Sequence, residues 1–262
     1  MLKHRLIPIL LLKNGQLVRS EGFKTHQIIG DPIHEVRRFN EWSVDELIYI
    51  DITRTGEYDA RRSDHKSVGF SDPLATLDIV SESCFMPLTW GGRIRTLDDV
   101  RSRIARGADK VTLNSSLIDA PEVITLAARR FGSQAVVVSI DALRHPDGRY
   151  ECFVGNGAIP TGLTPTALAR RAEDLGAGEI LVQSIDRDGA GRGYDLQLIN
   201  DVVSATKIPV IACSGVGRFE HYADGIRAGA SAVAAANIWH FKELADLAGK
   251  RALRKANINV RH

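Results

Sequence analysis

Eight short apolar runs, each followed by a longer amphipathic stretch, constrain this chain more than any other feature of its sequence. The runs fall near residues 6–12, 46–52, 86–90, 109–113, 134–141, 178–184, 208–213 and 231–236. They are rich in Val, Ile and Leu, which predicts strands covered on both faces. Helical periodicity falls between them, near 32–44, 72–84, 96–106, 120–131, 164–176, 195–205, 217–228 and 240–249. Asp31-Pro32, Asp72-Pro73 and Thr164-Pro165 each set a capping side chain before a proline at the first helical position. Asp119-Ala120-Pro121 is a looser version of the same signal. Strands alternating with helices predict a parallel α/β fold. Eight of each, with nothing left over, favour a closed (β/α)8 TIM barrel over an open sheet. The 262 residues are expected to form a single barrel domain, 1–262, with an extended loop over 53–71.

Composition narrows the function classes. A net charge of +2 carries no nucleic-acid or membrane signature. No apolar run approaches the length of a membrane span. The opening run, LIPILLLKNG, holds a proline and lacks a small-residue cleavage site, so it reads as a strand. Cys84, Cys152 and Cys213 are odd in number and lack metal-ligand spacing, which points to a reducing cytoplasm and to no bound metal. No cofactor is expected.

The two halves repeat each other. DELIYID (45–51) parallels GEILVQS (178–184) at an offset of 133, and GADKV (107–111) parallels GASAV (229–233) at 122. The 11-residue difference falls in the first half, in the loop over 53–71. The first strand matches the fifth at an offset of 130, which sets Leu11 against Asp141. One half therefore carries a carboxylate where the other carries a leucine.

Barrels place their chemistry at the carboxyl ends of strands. Asp51, Asn114, Asp141, Asp186 and Asp188 occupy such places. Asp141 closes the run VVVSI, so its side chain should face the mouth at the edge of a dry interior, where desolvation suits a carboxyl for proton transfer. The competing reading makes it a cap for the loop over 142–148. Gly91-Gly92-Arg93 and Ser214-Gly215-Val216-Gly217 follow strands three and seven, and small polar ends, Asn114-Ser115-Ser116 and Ala236-Asn237, follow strands four and eight. Their backbone N–H groups suit two anion sites across the mouth. At the opposite end, Arg5, Glu46, Lys110 and Glu179 each start a strand and can pair around the axis as a plug.

The phrases KNG (13–15), GDP (30–32), DELIYIDIT (45–53), GADKVTLNSS (107–116), FGSQAVVVSIDA (131–142), GAGEILVQSIDRDG (176–189) and NINVR (257–261) resemble the cyclase subunit of imidazole glycerol phosphate synthase, the HisF family. The resemblance runs from Arg5 to Arg261. It implies a glutaminase subunit docked at the barrel floor, with Asp109 at that interface. It implies ammonia passing a gate of Arg5, Glu46, Lys110 and Glu179, then attacking a phosphoribulosyl formimino intermediate at the mouth. Gly92, Arg93, Asn114, Ser115, Asp188, Gly189, Ser214, Gly215, Ala236 and Asn237 fall at the family's phosphate- and substrate-binding positions.

The same resemblance implies two catalytic aspartates. Asp141 matches one, and Leu11 stands at the other. Arg93, Ser214, Asn237, Gln183 and Arg19 also depart from the family pattern. An intact floor beside an altered mouth points to a synthase subunit that delivers ammonia to a different acceptor. Paralogues resembling this family are associated with amidation of surface-polysaccharide sugars, where a third protein carries the acceptor and the loop over 53–71 is a candidate contact. The rival expectations are an ordinary cyclase using Asp141 alone or with Asp51, a non-catalytic partner-binding barrel, and the single-chain isomerase of the same pathway.

Overall fold

The computed structural model describes residues 3–42, 44–54, 58 and 72–261. Eight parallel strands close into a barrel: β1 (Arg5–Lys13), β4 (Leu47–Asp51), β5 (Leu88–Gly91), β6 (Lys110–Leu113), β7 (Val136–Arg144), β10 (Glu179–Ser184), β11 (Val210–Cys213) and β12 (Ala232–Ala235). Pairing of β7 with β10 and of β12 with β1 completes the ring. The prediction of a (β/α)8 barrel holds. Apart from Thr53, Arg54 and Tyr58, the loop over 53–71 lies outside the described residues.

The helices that follow the strands are α1 (Pro32–Glu41), α2 (Pro73–Ser83), α3 (Leu97–Ala105), α5 (Glu122–Phe131), α6 (Pro165–Asp174), α7 (Leu196–Ala205), α8 (His221–Arg227) and α10 (Ala245–Lys255). The three proline starts behave as expected: Asp31, Asp72 and Thr164 each accept a backbone N–H of the first turn. Asp119 does not. It ends a short helix, α4 (Ser116–Asp119), and α5 begins after Pro121 without a side-chain cap. The helix expected over 240–249 is two pieces, α9 (Asn237–Phe241) and α10, with Leu244 left-handed at φ 50° between them.

Strand register makes the repeat concrete. Leu6 pairs with Val233 as Val136 pairs with Val111, and Leu11 pairs with Ile50 as Asp141 pairs with Gln183. These partners obey the three sequence offsets. Each half also sends out a hairpin that periodicity did not reveal. β2 (Gln16–Glu21) and β3 (Thr25–Gly30) extend β1, while β8 (Tyr150–Val154) and β9 (Ile159–Pro160) extend β7.

Apolar packing forms two bodies. The larger lies between sheet and helices, where Tyr49 and Trp90 stack at 5.4 Å and Trp239 meets Phe39 edge-on. Burying each such ring contributes about 2–3 kcal/mol. The smaller fills the barrel axis with Ile7, Ile9, Ile48, Val137, Leu181 and Ile211, with Leu11 and Ile50 packed at its upper edge. Among the described residues no helix is long and apolar enough to cross a membrane.

Candidate functional site

The floor of the barrel carries a closed ring of four charges. Arg5 donates through Nη1 to both oxygens of Glu46, at 2.9 and 3.0 Å, and through Nη2 to Glu179. Lys110 donates to Glu46 at 3.2 Å and to Glu179 at 2.8 Å. Cations and anions alternate, so each group has two opposite neighbours. Burial pushes the Glu179 carboxyl up, but the hydrogen bond and charge of Arg5, joined by Lys110, more than offset it and leave the group below its usual range. Asp109 lies beside the ring and is exposed, with Oδ2 accepting from the Leu88 N–H at 2.8 Å.

Strand alternation builds the axis above this ring. On β10, Glu179, Leu181 and Gln183 face inward in succession, and on β7 so do Val137, Ser139 and Asp141. Register sets Glu179 level with Val137, Leu181 with Ser139 and Gln183 with Asp141, so β10 runs from charge through leucine to amide while β7 turns polar one layer sooner.

The mouth opens into a cavity of about 620 Å³. Asp141 sits in its wall, 5% exposed. Its Oδ1 accepts from the Ser139 hydroxyl and the Gln183 amide, both at 3.0 Å, and its Oδ2 accepts from Asn114 at 3.2 Å. Burial pushes the carboxyl up to about 6, against the hydrogen bonds that hold it down. β7 continues to Arg144, so Asp141 does not end the strand and caps no turn, and the cap reading is discarded. Asp186 does the capping, accepting the Arg144 N–H at 2.7 Å, and it stands outside the cavity.

All ten residues expected at the phosphate- and substrate-binding positions line this one cavity, whereas Gly91, Ser116 and Gly217 of the expected anion turns do not. Gly92, Arg93, Asn114 and Ser115 lie on one side, and Asp188, Gly189, Ser214, Gly215, Ala236 and Asn237 lie on the other. Several polar groups among them are already engaged within the chain. Asn114 also donates to the Ser139 carbonyl, and the Ser115 hydroxyl accepts the Gly155 N–H. Asp188 takes the Ser20 hydroxyl at 2.6 Å and the Phe23 N–H at 3.0 Å, while Asn237 donates to the Ser20 carbonyl. Asp188 and Asn237 thus hold the β2–β3 hairpin down over the mouth, bringing Ser20, Phe23 and His26 into the lining.

Backbone conformation at the glycine turns is special. Gly92 (φ 95°) and Gly215 (φ 93°) leave no room for a Cβ, which would come within 2.1 Å of the Asp51 carbonyl and 2.3 Å of the Gly193 carbonyl. Their neighbours Arg93 (φ 59°) and Ser214 (φ 78°) hold the left-handed conformation despite bearing side chains. Arg93 lies 3.9 Å from Asp51.

Asp51 is buried and lines the cavity, but it does not take the place of Leu11. It follows Ile50, which is the residue level with Leu11, so it starts from the opposite face of the strand. Its Oδ1 accepts the Thr53 N–H and its Oδ2 faces Tyr58 and Arg93. Leu11 itself borders the cavity, opposite Asp141 in the repeat. Arg19 is outside the lining. It bonds Gln27 and covers Phe241.

Sequence reasoning missed the residues brought in by the hairpins. The signals were EGFK (21–24) and NGAI (156–159), turn residues between strand-forming runs. It also missed Ser139, which alternation from Asp141 would have found.

The sequence model of the family described as "Histidine biosynthesis protein" matches residues 5–245. Among curated relatives, the imidazole glycerol phosphate synthase subunit HisF of Alkaliphilus metalliredigens is 41% identical, with 100% of both chains covered. The subunit of that name from Endomicrobium trichonymphae is 40% identical over 100% of this chain and 96% of its own. That from Gluconacetobacter diazotrophicus is 39% identical over 100% of this chain and 97% of its own.

Proposed function

This chain belongs to the HisF family of imidazole glycerol phosphate synthase subunits, and from that premise we propose that it is the ammonia-conducting synthase subunit of a glutamine amidotransferase complex whose acceptor differs from the family's formimino intermediate. In this reading a HisH-like glutaminase docks on the floor at Asp109. Ammonia enters through the Arg5–Glu46–Lys110–Glu179 ring, crosses the apolar axis and reaches the acceptor beside Asp141. The acceptor is a surface-polysaccharide sugar presented by a third protein.

One observation carries the proposal. The charged ring is complete and fully paired, while the mouth holds an Asp141–Gln183 pair on one side and a Leu11–Ile50 pair at the matching register on the other. A buried ion-pair ring is weak as a source of stability, because desolvation offsets much of its Coulomb gain. Its retention fits a gate better than a plug. A leucine, by contrast, neither gives nor takes a proton. The family chemistry needs an acid and a base, and loss of one costs about 10²–10⁴ in rate.

Arg93 and Ser214 support a changed ligand. Both keep the backbone conformation natural to glycine, so the cradle survives, but each adds side-chain bulk or charge where a phosphate would approach. The relatives' names favour a second reading, an ordinary cyclase in which Asp141 works alone or with Asp51. One experiment separates the two. The purified chain, given ammonium and the formimino intermediate, is expected to form no imidazole glycerol phosphate at a rate typical of the family, yet to bind a HisH-like glutaminase and stimulate its turnover. Fast cyclisation would establish the second reading. Absence of glutaminase stimulation would remove the first.

A further inference from the structure

We propose that Gln183, together with Asp141, forms the seat that receives a neutral nitrogen nucleophile as it leaves the barrel axis, with Gln183 acting both as a ligand-binding residue and as a positioning residue for Asp141. The inference deepens the ammonia-conducting reading and rests on it for the direction of travel.

The hydrogen-bond pattern fixes the orientation of the Gln183 amide. Its Nε2 donates to Asp141 Oδ1 at 3.0 Å and to Ser139 Oγ at 3.1 Å. The Ser139 hydroxyl in turn donates to Asp141 Oδ1 at 3.0 Å, so its oxygen is free to accept. The reverse orientation would set the amide oxygen against a carboxylate. The amide nitrogen is therefore turned to Asp141 and Ser139, and Gln183 Oε1 accepts no hydrogen bond among the described residues, in a side chain that lines the cavity. Asp141 Oδ1 has two donors and Oδ2 only one, Asn114. The less satisfied oxygen is the one at which a proton is taken up or released.

Two acceptors, Gln183 Oε1 and Asp141 Oδ2, thus belong to one hydrogen-bonded unit at the top of the apolar axis. On β10, Gln183 stands four residues beyond Glu179 of the ring, about 13 Å along the strand. Leu181 is the inward residue between them. A small N–H donor coming up the axis leaves the charged ring, passes Leu181 and the Thr112 hydroxyl, unpartnered among the described residues, and reaches this pair where the axis opens into the cavity. At the matching register across the barrel, Leu11 and Ile50 offer no acceptor. The nucleophile is held from one side only.

Two measurements on the isolated chain test this. The first follows the Asp141 carboxyl by ¹³C NMR across pH, in the wild type and in Gln183→Leu. Removing the donor should move its midpoint upward, on the order of one pH unit. The second titrates ammonium chloride at alkaline pH while observing the Gln183 side-chain amide. A saturable shift is expected with ammonium and not with potassium chloride, and it needs no variant that might misfold. An unchanged Asp141 midpoint in Gln183→Leu would overturn the positioning role. A response to ammonium no larger than to potassium would overturn the seat. Neither readout depends on glutaminase stimulation, whose absence would instead sink the function proposed above.

Discussion

Lys250 holds its ammonium 3.0 Å from Asp45, with both side chains 3% exposed. Asp246, one turn earlier on α10, lies 3.3 Å from the same nitrogen. Asp45 also accepts the Leu6 N–H, so this buried cluster ties α10 to the two strand starts that carry Arg5 and Glu46. Taking away the cation would leave two carboxylates facing each other in a dry site. Lys250→Met should destabilise the barrel by about 3–5 kcal/mol, read as a drop in the urea midpoint with an unchanged slope.

The charged ring has an acid limit. Glu179 ionises below its ordinary range because Arg5 and Lys110 outweigh the upward push of burial. A carboxyl depressed on folding stabilises the native state above its unfolded pKa, and that contribution is lost as pH falls through the folded value. Stability should therefore decline below the ordinary glutamate range. Glu179→Gln should flatten that decline while lowering stability at neutral pH, where Arg5 and Lys110 each lose one of two anionic partners. Urea melts across a pH series check both.

Asp141 works in the other direction. Its carboxyl titrates near 6 because it is buried. A carboxyl raised on folding favours the native state at low pH, and that advantage disappears as pH rises from the unfolded value toward about 6. At neutral pH the protein thus holds an ionised group at a cost. Asp141→Asn should be as stable as the wild type or more so above pH 7, while nitrogen transfer falls by roughly 10²–10⁴. In the wild type fed with glutamine, transfer should rise with pH through a midpoint near 6, whereas with ammonium salts the rate should go on rising above it as more of the ammonium releases ammonia.

How much of this was legible in the sequence depends on periodicity. The barrel strands are buried on both faces, so each reads as a continuous apolar run, and the half-barrel offsets of the sequence reappear as lateral register at Leu11–Ile50 and Asp141–Gln183. The hairpins did not read as strands because β3 is mostly exposed and β9 is two residues long, leaving little apolar pattern to detect. Without them Asp188 and Asn237 looked free to bind substrate, whereas both hold the first hairpin. The Lys250 cluster was hidden for a different reason. A buried lysine paired with Asp246 one turn away on an amphipathic helix looks like any solvated one until Asp45, some 200 residues away in sequence, is placed beside it.

Leu11 offers the most direct test of what the mouth has lost. It borders the cavity at the register that matches Asp141, and no carboxylate among the described residues stands at its place. Leu11→Asp restores a carboxyl beside Ile50, in an apolar setting that will raise its pKa, so its effect should appear mainly above neutral pH. If the cradle around Gly92 and Gly215 still admits the formimino intermediate, the variant should convert it at least about tenfold faster than the wild type, which lacks the second proton-transfer group. The added buried charge should lower the urea midpoint, and the gain should vanish in Leu11→Asn, which matches the shape without the proton chemistry. A wild-type rate already equal to that of Leu11→Asp would show that another group serves as the second acid or base, and the proposal of a changed acceptor would then have no chemical ground.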